Sequence, residues 1–228
     1  MQDCVIVAHG SPSDPPPQQA AVAALAARVA ALLPGRRIRG ATLASPGALA
    51  EALADLPDPA IYPFFMAEGW FTRRELPRRL AELGHQGKQL PPFGLDPDLP
   101  DLITRIVIDA AEKAGIEPES ADLILAAHGS AVARRSKDSA YAMAELLRGR
   151  TPFWRVRVGL IEEPPYLHDI AATTRIGICL PFFALRAGHV TGDIPEALAT
   201  AGFRGPLLPA VGEHPAAAGL IAAAIARG

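Results

Sequence analysis

The stretch DLILAAHGS, Asp122–Ser130, repeats DCVIVAHGS, Asp3–Ser11, at an offset of 119 residues. Each copy is an acid, a short apolar run, and then His-Gly-Ser. An apolar run of this length, closed by a glycine turn, reads as a strand covered on both faces, the habit of parallel sheets. Working outward, the repetition continues. PFFMAEGWFTRRELP (Pro63–Pro77) matches PFFALRAGHVTGDIP (Pro181–Pro195), with Pro-Phe-Phe displaced by 118. SPGAL (45–49) faces EPPYL (163–167) at the same 118, and LPPF (90–93) faces LLPA (207–210). Anchors in one order at a nearly constant offset mark a duplication. The chain divides into two related halves, 1–115 and 116–228, joined near Gly115–Ser120.

Strands and helices alternate within each half. Strands are expected near Cys4–Ala8, Arg37–Leu43, Ala60–Phe65 and Lys88–Pro92, and again near Leu123–Ala127, Trp154–Leu160, Arg175–Pro181 and Gly205–Leu208. Helical patterns fill Gln18–Leu33, Gly47–Asp55, Arg73–Leu83 and Leu99–Ala114, then Arg134–Arg148, Leu167–Ala172, Ile194–Ala201 and Ala216–Ala226. This order predicts an α/β fold: two tandem flavodoxin-like domains, each a four-stranded parallel sheet with helices on both faces.

Half of the 228 residues are hydrophobic, enough to fill two such cores, and the net charge of −2 speaks against binding nucleic acid by bulk electrostatics. The 23 prolines fall mostly between periodic segments and punctuate the fold. Cys4 and Cys179 lie in apolar runs and read as buried, reduced thiols, and no CxxC or Cys/His ladder suggests zinc. The most apolar helical stretch, Ala20–Leu33, is interrupted by Arg28 and too short for a bilayer. A soluble, cytoplasmic protein without a membrane partner is expected.

In open parallel sheets, ligands bind beyond the carboxyl ends of the strands. His128 follows one such strand, and His189 is expected in the loop after another. If those strands are neighbours, the two imidazoles converge and can bind a divalent metal or share proton transfer. His9 and Trp70 are read as their equivalents in the first half, because both pairs stand 61 positions apart. His9 alone reads as a hydrogen-bonding residue. Glu162 and Glu163 follow the strand WRVRVGL, where one carboxylate can complete the site by taking protons or holding the metal. The first half has Ala44 and Ser45 in those places. His214, in GEHP, is placed on the same rim, whereas His85 and His168 read as surface residues. Asp193 reads as an acid at a helix N-terminus, with Pro195 in the first turn. Arg134, Arg135, Lys137, Arg186, Arg73 and Arg74 collect around this rim and suit a polycarboxylate ligand.

These motifs resemble the class II chelatases, ATP-independent enzymes that insert a metal into sirohydrochlorin or protoporphyrin, and most of all their long, two-half sirohydrochlorin form. The resemblance rests on AHGS (127–130), PFFALRAGHVTGDIP (181–195), IEEPPYL (161–167) and GEHP (212–215), and it covers essentially the whole chain. It implies two chelatase-like halves, with the tetrapyrrole in a cleft between them. It implies that His128 and His189 hold the incoming metal and help remove the pyrrole protons, assisted by Glu162 or Glu163. Ser130, Arg134, Arg135, Arg186, Trp70, His9 and His214 are then expected to contact the substrate. Members of the family carry the active pair in either half, and here the first half reads as a degenerate copy forming the other wall. Imidazoles suit Co2+ and Fe2+, with Ni2+ behind them, and only two such ligands let the metal go again. No nucleotide is expected, since no GxxxxGK[ST] occurs. A monomer is expected, because a two-half chain can form its own cleft.

Two other readings compete. A tetrapyrrole- or metal-binding protein of the same fold keeps the pocket without turnover. A histidine phosphatase also has His-Gly after its first strand, but needs a phosphate-gripping arginine just before it, where this chain has Ala8 and Ala127.

Overall fold

The apolar runs that open each repeat become the central strands of two parallel sheets. A computed structural model describes residues 2–129, 135–186 and 188–228, with Arg135 and Ser136 described as backbone. In the first half β1 (Cys4–Ala8), α1 (Pro15–Leu32), β2 (Ile38–Thr42), α2 (Ala48–Leu53) and β3 (Ala60–Pro63) follow one another. A π-helical turn, Phe71–Glu75, then runs into α3 (Leu76–Glu82), and α4 spans Leu99–Ala114. The second half repeats the order with β4 (Asp122–Ala127), α5 (Arg135–Arg148), β5 (Arg155–Leu160), α6 (Leu167–Ala172) and β6 (Gly177–Pro181). A second π-helical turn, His189–Asp193, runs into α7 (Ile194–Thr200), and α8 spans Ala217–Arg227. The three prolines Pro15–Pro17 open α1, where a missing N–H leaves no helical bond unmade.

The strand orders are β2-β1-β3 and β5-β4-β6, all parallel. Among the described residues each sheet has three strands where four are expected. The fourth position holds one parallel bridge in each sheet, Ile61 with Gln89 and Cys179 with Leu207. Prolines explain the difference. Pro91 and Pro92 end the first pairing, and Pro206 and Pro209 bracket the second, so no longer ladder can form. Each repeat also opens on the same ion pair. Asp3 accepts from the Arg37 side chain at 2.9 Å, and Asp122 from Arg155 at 2.9 and 2.7 Å.

One face of the first sheet buries Val5, Val7 and Ile61 against Leu49, Leu76 and Leu80. The matching face of the second buries Ile124, Ala126 and Cys179 against Leu167, Ile194 and Leu198. Cys4 and Cys179 are both free and buried. Burial pushes the Cys4 thiol up to about 12 and raises that of Cys179 as well, which makes both poor nucleophiles.

The boundary of the repeat and the boundary of the compact units are different things. One unit comprises the residues up to Asp96 together with Pro215–Gly228, and the other is Pro97–His214. The last helix of each sequence half therefore belongs to the other sheet. In the first unit α8 packs on α1, Arg227 pairs with Asp96 at 2.8 Å, and Arg36 donates to the Ile225 carbonyl at 2.8 Å. In the second unit α4 lays Leu99, Leu102, Ile103, Ile106 and Val107 inward and packs against α5 and β6.

Candidate metal centre

The second unit builds its site from residues that follow the three neighbouring strands β4, β5 and β6. β4 ends at Ala127, and His128 is the next residue. Gly129 then turns the chain with φ +72°, and a Cβ there would also stand 3.0 Å from Cγ of Glu163. This turn brings the Gly129 carbonyl 2.5 Å from Nδ1 of His128. A carbonyl can only accept, so Nδ1 carries the proton and Nε2 offers its lone pair. The His128 carbonyl in turn accepts the backbone N–H groups of Glu162 at 3.0 Å and Ile161 at 3.2 Å. That clasp hangs Glu162 beside the imidazole, with Oε1 3.6 Å from His128 Nε2.

His189 enters from the strand on the other side of β4. Its place differs from the expected loop: it opens the π-helical turn, closed by the Ile194 N–H donating to the His189 carbonyl. Its ring meets that of His128 edge to face, with centroids 4.5 Å apart and an 81° interplanar angle. Nδ1 of His189 lies 2.5 Å from Oδ2 of Asp193, four residues on. Asp193 therefore does not cap the helix with its side chain as expected; its carboxylate is turned to the imidazole. One potential ligand atom from each of His128, Glu162 and His189 lies within 4.8 Å of the others. All three side chains are one-third to one-half exposed, so a cation can reach them from solvent. Two imidazoles and a carboxylate around one point form a donor set for a divalent first-row metal.

The two glutamates have separate surroundings. Glu163 is mostly buried, and Lys137 donates to it at 2.7 Å. It covers Gly129, whereas Glu162 joins the histidines. Arg186 is exposed and its charge acts on Glu213, whose carboxyl is raised by burial. Burial depresses the His214 ring, and the charges of Asp109, Lys113 and Arg105 of α4 act on it as well. Ser130, Arg134 and the side chain of Arg135 lie outside the described residues.

The first unit repeats the corner and changes its chemistry. Nδ1 of His9 lies 2.7 Å from the Gly10 carbonyl, and the Ala44 N–H donates to the His9 carbonyl, where Glu162 sits in the other unit. The partner of His9 is not Trp70, as expected, but Phe71. Phe71 opens the first π-helical turn, as His189 opens the second, and meets His9 edge to face at 4.2 Å and 75°. Trp70 stands one residue earlier, 59% exposed, edge-on to Phe71 at 5.0 Å. The signal lay in the sequence: the 118 offset of Pro-Phe-Phe runs without a gap to the closing prolines and pairs position 71 with 189. Of the three candidate metal-binding positions, this unit keeps only His9.

Glu75 takes the place of Asp193, and Arg78 and Arg79 claim it, Arg79 Nε at 2.6 Å and Arg78 at 2.9 and 3.1 Å. Hydrogen bonds from Arg78, then Arg79, hold its carboxyl down at about 2. A carboxyl held low in the folded state stabilises the fold above its ordinary pKa and loses that contribution as the pH falls through the depressed one. Thermal midpoints of wild type and Glu75→Gln should therefore differ most near pH 6. The gap should close between about pH 4.5 and 2, where Glu75 gains its proton. A gap that widens in acid would contradict this linkage.

A duplicated parallel sheet with a histidine pair and a carboxylate on its carboxyl rim has the class II tetrapyrrole chelatase fold. The family model described as CbiX matches residues 3–110 and again 122–227. A solved structure titled as CbiX, the terminal enzyme for biosynthesis of sirohaem in denitrifying bacteria, is 47% identical, covers 100% of this chain and 99% of its own, and superposes with a TM-score of 0.91. This chain belongs to the CbiX family. DR2241 from Deinococcus radiodurans, described as a multi-domain protein similar to chelatases, is 25% identical with a TM-score of 0.73, over 99% of this chain and 54% of its own. SirB from Bacillus subtilis with Fe3+ shares the fold at 16% identity and a TM-score of 0.76, over 100% of this chain and 95% of its own. No curated protein matches the chain. Among the described residues no helix is long and apolar enough to cross a membrane.

Proposed function

We propose that this protein is a sirohydrochlorin chelatase, inserting Co2+ or Fe2+ into a polycarboxylate tetrapyrrole for cobalamin or sirohaem biosynthesis. The observation that carries the reading is the meeting of His128, Glu162 and His189, each with a potential ligand atom within 4.8 Å of the others. The relative at 47% identity, titled for sirohaem biosynthesis, supports sirohydrochlorin as the substrate and Fe2+ as one of the metals. The protein works as a soluble, cytoplasmic monomer on small molecules, without nucleotide or nucleic acid.

The chemistry follows from the donors. Insertion exchanges two pyrrole N–H protons for one M2+, so two protons must leave as the macrocycle takes the metal. Nε2 of His128 and of His189, with Glu162, holds the cation through three protein atoms, and no closed cage resists its transfer. As the metal passes to the ring nitrogens, the freed imidazoles and carboxylate can accept the departing protons. The chelated product is the thermodynamic sink, so no nucleotide is consumed.

Metal insertion followed by the visible spectrum of sirohydrochlorin, with Fe2+ and with Co2+, tests the reading. The wild type should outpace the uncatalysed control. Glu162→Gln should slow it by roughly 100-fold, the lower end of the range for a lost acid–base group. Glu163→Gln should change it far less, since that carboxylate is committed to Lys137. A wild type no faster than the control would leave the non-catalytic binding protein as the better reading, and a larger loss at Glu163 would exchange the two roles.

A further inference from the structure

We infer that Asp193 is a positioning residue for the metal centre: it sets the tautomer and orientation of His189, so that Nε2 faces His128 and Glu162. The inference rests on the proposed function, in that it takes His189 as a metal ligand, and it adds a residue to that site. Three observations carry it.

The first is the contact itself. Oδ2 of Asp193 stands 2.5 Å from Nδ1 of His189. A carboxylate accepts and an imidazole Nδ1–H donates, so this pairing places the ring proton on Nδ1 and the lone pair on Nε2. His128 reaches the same tautomer through a backbone carbonyl. His189 stands at the start of a helical turn and depends on a side chain for the same service. Outer-shell partners of this kind fix ring orientation in metal-binding histidines.

The second is the backbone. The π-helical turn His189–Asp193 sets the pair four residues apart, with the Ile194 N–H bonded back to the His189 carbonyl. Such wide turns cost helix regularity and concentrate at functional positions. This turn holds the imidazole and the carboxylate on one side.

The third is an internal comparison. The first unit has the same π-helical turn with an acid at its end, but Phe71 at its start, and there Glu75 is taken by Arg78 and Arg79. In the second unit the positions corresponding to those arginines are Glu196 and Ala197. Where a histidine is present, the competing cations are gone. Where it is absent, the acid serves the fold.

Co2+ binding to the full-length protein tests the inference without turnover, read by the visible d–d bands and by calorimetry on wild type, His189→Ala, Asp193→Ala and Asp193→Asn. His189→Ala should lose the site. Asp193→Ala should weaken Co2+ by about 10- to 100-fold, the usual effect of deleting an outer-shell partner. Asp193→Asn should recover much of that loss, because the amide oxygen still accepts from Nδ1–H. A purely structural role would not produce this ranking, and matching circular dichroism and thermal midpoints would show that half-exposed Asp193 leaves the fold intact when replaced. Wild-type affinity in Asp193→Ala, with His189→Ala defective, would overturn the positioning role alone. An Asn variant no better than Ala would overturn it too. Wild-type affinity in His189→Ala would overturn the ligand assignment, and the inference with it.

Discussion

Replacing either His128 or His189 by alanine should remove most of the catalysed metal insertion, about 10²- to 10⁴-fold in rate, and replacing both should cost little more. The reason is geometric. The two rings meet at 4.5 Å, and each has its Nδ1 on an acceptor, which leaves both Nε2 atoms for the one proposed cation. With either ring gone, the other offers a single imidazole beside Glu162, too few donors to hold a metal at the concentrations where the pair works. Residues that act as one unit fail as one unit, so the single losses should not add. Sirohydrochlorin with Fe2+ or Co2+ in single-turnover experiments measures this, with His168→Ala as a control. Additive losses in the double variant would mean that the two histidines act in separate steps.

Gly94→Ala should be the most damaging small substitution to the fold of the first unit, at about 3 kcal/mol. An added Cβ would stand 1.9 Å from the Met66 carbonyl oxygen and 2.5 Å from its Cα. These are backbone atoms, so no side chain can swing away. The Gly94 N–H donates to the Phe65 carbonyl at 2.9 Å, and fully buried Phe93 packs on Phe64 with ring centroids 4.9 Å apart. The two segments are pinned on both sides of the glycine and must separate to admit a methyl group. Gly69→Ala has open space around its Cβ and should stay within about 0.5 kcal/mol. Urea midpoints of the two variants decide the matter, and equal midpoints would contradict the argument.

Much of this was legible in the sequence because duplication supplies an internal control. The apolar runs DCVIVA and DLILAA fit one conformation, and the alternating pattern places six of the eight expected strands, and all eight helices, within a few residues. The convergence of His128 and His189 followed from their strands being neighbours, and β4 and β6 do pair. Other features were hidden for physical reasons. A π-helical turn has no compositional signature, so His189 looked like a loop residue and Asp193 like an ordinary helix-start acid. Counting from His9 pairs Trp70 with His189, yet the offset changes from 119 at His-Gly-Ser to 118 by SPGAL, and the count carries that slip forward. The choice between Glu162 and Glu163 depended on which way two adjacent side chains turn, and the Lys137 pairing set that.

The exchanged terminal helices give the chain a timetable. The second unit, Pro97–His214, is one continuous segment, so everything it needs has been synthesised once His214 has been added. The first unit begins earlier and finishes later: its sheet is laid down first, yet α8, with the Arg227–Asp96 pair that fastens it, comes from the final stretch. Made in order from the amino end, the chain completes the part that bears the proposed metal ligands while its older neighbour still waits for a helix.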